Sequence, residues 1–402
     1  MNHAVKMNHA VKQHLIDPEI CIRCYTCEEA CPVGAITHDN NNVVVDAVSC
    51  NFCVSCIGPG PTGSIDNWRV VEEPYSLQAQ FGWKELPTQQ EFSAGNDDTN
   101  IEAIDESVAQ LLEQAHQGAG GKAKAPVSAS HPSINLYNLG NPAEALVQGN
   151  FRLTAEGADS DVRIIILDLG QLPFPVLEGQ SVGITPPGVD ANGKPHLPRL
   201  YSVSSPRDGE RPNTNNLSLT VKREAHGVCS NYVCDLKKGD KVKLTGPFGA
   251  TFLMPNDPQS NLIMVCTGTG SAPFRGFTMR RQRTMPNVDH AMKLFFGART
   301  PDSLPYFGPL KKVPDTFLGK YFAFSRVSGQ PKEYVQDQLR LHGQEIAQLM
   351  LDQQTYIYIC GLKAMEHGVE APFADIARGA GMDWAAIRQS MREQGRYHVE
   401  TY

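Results

Sequence analysis

Beyond residue 136 the apolar positions fall into short blocks that end on glycine or proline. DVRIIILDL (161–169), GQSVGIT (179–185), LSLTVK (217–222) and KVKLTGP (241–247) mix alternation with β-branched runs and are parted by turn residues. This spacing predicts the short antiparallel strands of a small barrel. From residue 258 the rhythm changes. NLIMVCTG (261–268), AMKLFFGAR (291–299), YFAFSRV (321–327), TYIYICG (355–361) and a last YHVETY (397–402) are apolar runs, interleaved with helical periods at 272–283, 334–350, 363–379 and 384–394. Strands apolar on both faces that alternate with helices predict a parallel sheet covered on both sides.

Upstream the pattern breaks into smaller pieces. The first twelve residues are MNHAVK written twice, which reads as a start-site or cloning duplication and is assigned no function. Residues 15–71 form a small cysteine-rich module, and residues 72–135 turn acidic and rich in Gln, Gly and Ala, as a linker does. Within that linker, residues 99–117 carry Thr99 and Glu102 as a capping box, with Ile101, Ile104, Val108, Leu111 and Leu112 on one face. A short helix docked on a neighbour is expected there, followed by a flexible tether, GAGGKAKAPVSASHPS.

Charge changes the picture only locally. The 402 residues hold 36 Lys and Arg against 43 Asp and Glu, a net −7. Residues 71–118 alone contribute ten acids against Lys84, so the rest is close to neutral and offers no basic footprint for nucleic acid. There is no charged n-region with an apolar h-region and no apolar run approaching the roughly 18 residues of a membrane span. A reducing, cytoplasmic setting is expected.

Seven of the eleven cysteines lie between Cys21 and Cys56. CIRCYTCEEACP sets Cys21, Cys24, Cys27 and Cys31 at C-x2-C-x2-C-x3-C-P, the bacterial ferredoxin spacing, in which three thiolates wrap one iron–sulfur cluster and the fourth reaches across to the other. A structural zinc site pairs its C-x2-C units at longer separation. CNFCVSCIGPGP repeats the first loop, with CPVGAI matched by GPTGSI and Gly60 standing where Cys31 stands. Cross-ligation then gives Cys50, Cys53, Cys56 and Cys31 one complete site and leaves Cys21, Cys24 and Cys27 one ligand short. The incomplete set holds a [3Fe–4S] cluster, a [4Fe–4S] cluster with a non-cysteine or solvent ligand, or a labile site. Cys229, Cys234, Cys266 and Cys360 are too scattered to supply the fourth thiolate without domain docking, and Cys234 and Cys266 read as small buried residues.

RLYS (199–202), GVCS (227–230), CTGTGSAPFRG (266–276), CGLKAM (360–365) and a final VETY follow one another in that order. Together they resemble the plant-type ferredoxin–NADP reductase family over about residues 136–402. The resemblance implies a multidomain chain: a small α+β bacterial-ferredoxin domain (15–71), the linker (72–135), an antiparallel β-barrel FAD domain (136–257) and an α/β parallel-sheet NADP domain (258–402). It implies that Arg199, Tyr201, Ser202, Gly227, Val228, Cys229 and Ser230 hold FAD. It implies that Lys222, Thr267, Gly268, Thr269 and Gly270 serve the NADP pyrophosphate and nicotinamide, while Ser325, Arg326, Lys332 and Tyr334 select the 2′-phosphate and its adenine. It implies that Tyr402 stacks on the flavin and that Ser202, Cys360 and Glu400 stand beside hydride transfer. The residue chemistry agrees, since glycine turns opening helices accept phosphates and paired cations suit a 2′-phosphate. Between VKRE and HGVCS the chain is shorter than in the family, which leaves the adenine pose of FAD open.

A flavin exchanges hydride for single electrons, and iron–sulfur clusters carry single electrons. A bacterial two-cluster ferredoxin ahead of a plant-type reductase resembles the reductase components of aerobic benzoyl-CoA epoxidase systems, which implies a di-iron oxygenase as protein acceptor. A general, self-contained ferredoxin–NADP reductase with another redox partner is the alternative. In a third reading the cysteine module is a docking and storage unit.

Overall fold

In the computed structural model, residues 11–51, 55–56, 64–65, 67–71, 73–87, 124–170, 172–190, 193–212, 214–289 and 291–401 are described. The expected helix within 99–117, Cys53, Gly60 and Tyr402 lie outside the described residues.

In the cysteine module β1 (Val11–Leu15) pairs antiparallel with β4 (Asn67–Val71), and β2 (Ile36–His38) with β3 (Val43–Val45). Ile16, Ile36, Val43, Val45 and Ile65 build a core into which Cys27 and Cys56 are drawn. The two-fold repetition seen in CPVGAI and GPTGSI is present in three dimensions. Asp17 N–H donates to Ser64 C=O and Asp46 N–H to Ala35 C=O, both at 2.7 Å. Each of these aspartate carbonyls accepts from a cysteine N–H four residues on, Cys21 and Cys50, both at 3.0 Å. Each Oδ1 accepts from the N–H two residues on, Glu19 and Val48, again both at 3.0 Å. These side-chain turns hold the first cysteine of each loop in the same pose.

Residues 73–87, placed with the linker on composition, pack on this module instead. Ser76 Oγ caps the helix Leu77–Phe81 by accepting from Ala79 N–H at 3.2 Å. Gln80 is buried and exchanges hydrogen bonds with both main-chain groups of Val45, at 3.1 and 2.9 Å. Asn42 Nδ2 donates to the carbonyls of Gln80, Phe81 and Trp83. Two buried amides thus find backbone partners, which polar composition alone does not reveal.

The expected tether, from residue 124, lies along the barrel rather than free of it. Asn256 N–H donates to Ser128 C=O at 3.3 Å, Arg207 to Ser130 Oγ at 2.7 Å and Gln180 to Ser133 C=O at 3.0 Å. On its other side His131 Nε2 lies 3.7 Å from Asp17 Oδ2 and 3.8 Å from Glu19 Oε2, joining it to the cysteine module.

The barrel is a six-stranded antiparallel sheet in the order β8-β7-β10-β5-β6-β9. Its strands are β5 (Ala143–Arg152), β6 (Val162–Asp168), β7 (Ser181–Ile184), β8 (Arg199–Ser202), β9 (Asn216–Lys222) and β10 (Lys241–Phe248). A bridge from Val203 to Leu219 joins the two edges and closes it. Strand β5 has no β-branched run to announce it, yet Ala143, Ala145 and Val147 point inward between exposed neighbours at a period of two.

The second sheet is parallel, ordered β13-β12-β11-β14-β15. It comprises β11 (Asn261–Thr267), β12 (Met292–Ala298), β13 (Leu318–Phe324), β14 (Thr355–Gly361) and β15 (Tyr397–Thr401). Alternate residues of β11 feed two cores, Ile263 and Val265 into one, Leu262, Met264 and Cys266 into the other. That is why the run is apolar throughout. The single helix expected over 334–350 is two, Val335–Leu341 and Gly343–Leu351. They part at His342, and the glycine that follows lets the chain approach Ile376, which a Cβ at Gly343 would meet at 3.2 Å.

Two ion pairs join the barrel to the helix that follows β11, and a third braces the barrel itself. Arg275 grips both oxygens of Glu210 at 2.7 and 2.8 Å, Arg283 meets Asp208 at 2.8 Å, and Arg207 meets the buried Glu178 within the barrel at 2.6 Å.

Candidate functional site

Strand β8 runs beside β7, which sets Ser202 opposite Ser181, Tyr201 opposite Val182 and Arg199 opposite Ile184. Burial, with Cys229 close by, drives the Tyr201 phenol far above its usual range, so it stays protonated. Cys229 Sγ contacts Ile184 C=O at 3.3 Å and so ties the start of the helix Val228–Asp235 to this strand pair. Gly227 precedes that helix, and a Cβ there would meet Ser230 Oγ at 2.4 Å. The turn is therefore tight and leaves helix N–H groups at the barrel's edge, the donor set an anionic pyrophosphate needs. The Thr185 hydroxyl, one residue past Ile184, is buried without a hydrogen-bond partner. This lobe fits a flavin dinucleotide. Lys222, at the end of β9, pairs with Glu224 at 2.7 Å on an exposed surface.

The nicotinamide lobe lies at the carboxyl ends of the parallel strands, where open α/β sheets bind ligands. Thr267 ends β11, and Gly268–Ser271 make a tight turn into the helix Ala272–Thr284. Gly268 has φ +55°, and a Cβ on Gly270 would stand 2.1 Å from the Cys360 carbonyl oxygen. Cys266, Cys360 and Glu400 are register neighbours across β11, β14 and β15. Ser181 Oγ donates to Glu400 Oε1 at 3.4 Å, and Glu400 Oε2 is buried without a partner. Burial lifts the Glu400 carboxyl to about 7 against the opposing pull of Ser181. Burial first, then Glu400 and Cys266, hold the Cys360 thiol well above its usual range, so it is a thiol and not a thiolate. An unpaired buried oxygen beside a glycine turn suits a polar, amide-bearing ring.

The third group leaves β13. Because the strand stops at Phe324, Ser325 and Arg326 stand in a loop, their N–H groups bound to the carbonyls of Ala298 and Arg299 at 3.1 and 2.8 Å. Lys332 is exposed on the same loop, and Tyr334, 46% exposed, precedes the helix Val335–Leu341. Two cations, a hydroxyl and an open ring fit a phosphorylated adenosine.

Three residues here escape sequence reasoning. Ser181 reads only as part of a strand. Glu366, in the first turn of the helix Lys363–Gly379, accepts from Thr401 Oγ1 at 3.1 Å and anchors the last described residue. Arg299 adds a further cation beside Arg326 and is held by Asp159 at 2.5 Å.

In the cysteine module Cys31, Cys50 and Cys56 line one small cavity with His14, Val33 and Val45. Burial and then Cys50 push the Cys56 thiol up to about 12, and burial followed by Cys21 raises Cys27 to about 11. Buried thiols so reluctant to ionise alone need cationic iron to become ligands. The two neighbourhoods fit the two ligand sets drawn from the spacing, and Cys27 and Cys31 both act on Cys56, so they adjoin. His14 Nδ1 lies 3.8 Å from Cys56 Sγ, and its Nε2 meets the Ile65 carbonyl.

A closed antiparallel barrel joined to a parallel sheet, with tight glycine turns opening helices at Gly227 and at Gly268–Ser271, is the fold of a flavin- and nicotinamide-dependent reductase. Residues 264–371 match the oxidoreductase NAD-binding domain family, and residues 14–37 the 4Fe-4S binding domain family. The chain is 40% identical over 290 residues to the cyanelle ferredoxin–NADP reductase of Cyanophora paradoxa, covering 67% of this chain and 79% of that one. It is 37% identical over 353 residues to the ferredoxin–NADP reductase of Thermosynechococcus vestitus, covering 82% and 89%. The solved structure of Plasmodium falciparum ferredoxin–NADP+ reductase with 2′P-AMP superposes with a TM-score of 0.55 at 27% identity, covering 67% of this chain and all of that one. The chain belongs to the ferredoxin–NADP reductase family and carries an N-terminal 4Fe–4S ferredoxin domain. It is an NADP-dependent flavoprotein oxidoreductase.

Proposed function

We propose that this protein moves electrons from NADPH through FAD and two unequal iron–sulfur clusters to a protein acceptor. The acceptor is the di-iron oxygenase component that epoxidises benzoyl-CoA. When bound, the flavin supplies the exchange between hydride and single-electron steps. The chain does the rest. Arg199, Tyr201, Ser202 and Gly227–Ser230 hold and orient the flavin, with Tyr402 on its face. Lys222 and Thr267–Gly270 seat the pyrophosphate and nicotinamide, and Ser325, Arg326, Lys332 and Tyr334 take the 2′-phosphate end. Glu400 holds a proton at its carboxyl near neutral pH, with Ser181 beside it, while Ser202 and the un-ionised Cys360 wall the site against water.

Cys50, Cys53, Cys56 and Cys31 hold a [4Fe–4S] cluster; Cys21, Cys24 and Cys27 hold the other, as [3Fe–4S] or as [4Fe–4S] with a different fourth ligand. The observation that carries this reading is the shared cavity of Cys31, Cys50 and Cys56 in a module attached to a reductase fold. No helix among the described residues is long and apolar enough to cross a membrane. The reductase half's likeness to cyanelle and cyanobacterial enzymes favours, as a second reading, a self-contained ferredoxin–NADP reductase with another redox partner.

Anaerobic EPR tests the proposal. NADPH should reduce both clusters, and Cys31→Ala should remove the signal of the complete set while sparing the other. Loss of the other set's signal instead would defeat the cross-ligation. An NADPH-reduced flavin with clusters left oxidised would defeat the wiring. Pairing the protein with the purified di-iron component, and finding no NADPH-dependent product, would decide for the second reading.

A further inference from the structure

The pseudo-two-fold of the cysteine module gives it two equivalent turns, Asp17 to Cys21 and Asp46 to Cys50, and they are used differently. The first is contacted: His131, on the segment laid along the barrel, lies 3.7 Å from the buried Asp17 and 3.8 Å from Glu19, which stays half exposed. The second is open. Val48 occupies the place of Glu19 in the repeat and is 92% exposed. Beside it Ser49 Oγ donates to Asp46 Oδ2 at 2.6 Å, and with the Val48 N–H this holds the Asp46 carboxyl below its usual range. Val33, which lines the cavity of Cys31, Cys50 and Cys56, is also exposed.

We propose that the Asp46–Ser49 turn, with Val33, is the docking surface for the electron-accepting protein, and that electrons leave from the cluster of Cys31, Cys50, Cys53 and Cys56. The inference rests on the wiring proposed above. The reductase side of the module is marked by His131 next to the loop of Cys21, so electrons enter at the incomplete set and exit at the complete one. The repeat identifies the partner's chemistry. Where the contacted turn offers two carboxylates to a histidine, the open turn offers one carboxylate and an exposed valine. It fits a protein with a basic surface around an apolar redox edge, because complementary charge steers encounter and the apolar contact holds it.

The test uses the full protein and mitochondrial cytochrome c, a basic one-electron acceptor, as probe. Val48→Lys, which removes the apolar contact and adds a like charge, and Asp46→Asn, whose Oδ1 can still accept from the Val48 N–H, should each lower the second-order rate of NADPH-driven cytochrome c reduction by about fivefold or more, and the rate should fall with added salt. Ferricyanide reduction and the NADPH-reduced EPR spectrum should not change. Ile22, exposed between Cys21 and Cys24, is the control: Ile22→Lys should leave cytochrome c reduction intact. If Ile22→Lys slows it and the other two do not, the exit lies at the incomplete cluster and the proposal is overturned. Failure of the unaltered protein to reduce cytochrome c, with its clusters reduced, would overturn the assignment of a basic partner. Clusters that NADPH leaves oxidised would overturn the wiring itself.

Discussion

Ser181 of the barrel donates a hydrogen bond to Glu400 of the parallel-sheet domain at 3.4 Å, across 219 residues of sequence. Burial raises the Glu400 carboxyl from an ordinary 4.5 to about 7. A raised carboxyl favours the neutral form in the fold. Its cost to stability is therefore absent below about 4.5, grows as pH climbs, and levels off above 7 at about 3 kcal/mol. Glu400→Gln should flatten this dependence, so its unfolding midpoint gains on that of the unaltered protein between pH 5 and 8. Since the Ser181 hydroxyl pulls the value down, Ser181→Ala should move the corresponding limb of the pH–rate profile for dye reduction upward. An unshifted limb would dissociate Glu400 from that profile.

Gly270 has no room for a side chain, because a Cβ would lie 2.1 Å from the main-chain oxygen of Cys360. Gly270→Ala must push the turn off β14. The expected result is a loss of NADP+ binding of at least tenfold in difference titrations, with the flavin's own absorption retained. A flavin lost together with NADP+ affinity would mean that the damage spreads into the barrel.

Arg275 joins the two reductase domains by gripping Glu210, donating to Ser204 C=O at 2.8 Å and lying 5.0 Å from the centre of the Tyr306 ring. Arg275→Ala would leave a partly buried carboxylate unpaired, at a cost of about 3 kcal/mol. Scanning calorimetry should show a lower transition, and separation into two transitions would identify the pair as the coupling between domains.

Asn42 carries the attachment of residues 76–83 to the cysteine module. Asn42→Ala takes a donor from three carbonyls, of which Gln80 C=O keeps the Trp83 N–H, and costs about 1–3 kcal/mol locally. Limited proteolysis should then cut within 76–87 sooner, and the iron content should fall faster on dilution. Unchanged cleavage would show that Gln80 suffices.

The barrel and the parallel sheet were legible because their signals are local. Runs such as DVRIIILDL and NLIMVCTG carry their own period, and the family fold implied by RLYS and TGTG agrees with the solved relatives. Strand β5 escaped because alanine at inward positions is too weak a signal. The helix break at His342 escaped because the close approach that calls for Gly343 comes from another helix. Residues 73–87 looked like linker because Gln80 and Asn42 are polar, and nothing in the sequence says that both amides meet buried carbonyls.

Alone, the sequence determined what neighbouring residues can determine. Thiols at two-residue gaps aim at one cluster, glycines admit a tight turn at a phosphate, and the CPVGAI–GPTGSI repeat announces a two-fold module. Only the tertiary structure decided which groups meet. It set Ser181 on Glu400, Cys31 beside Cys50 and Cys56, and His131 on one of two equivalent turns. These pairings join residues far apart along the chain, where no period or spacing operates. They follow from burial and hydrogen bonding once the sheets have closed.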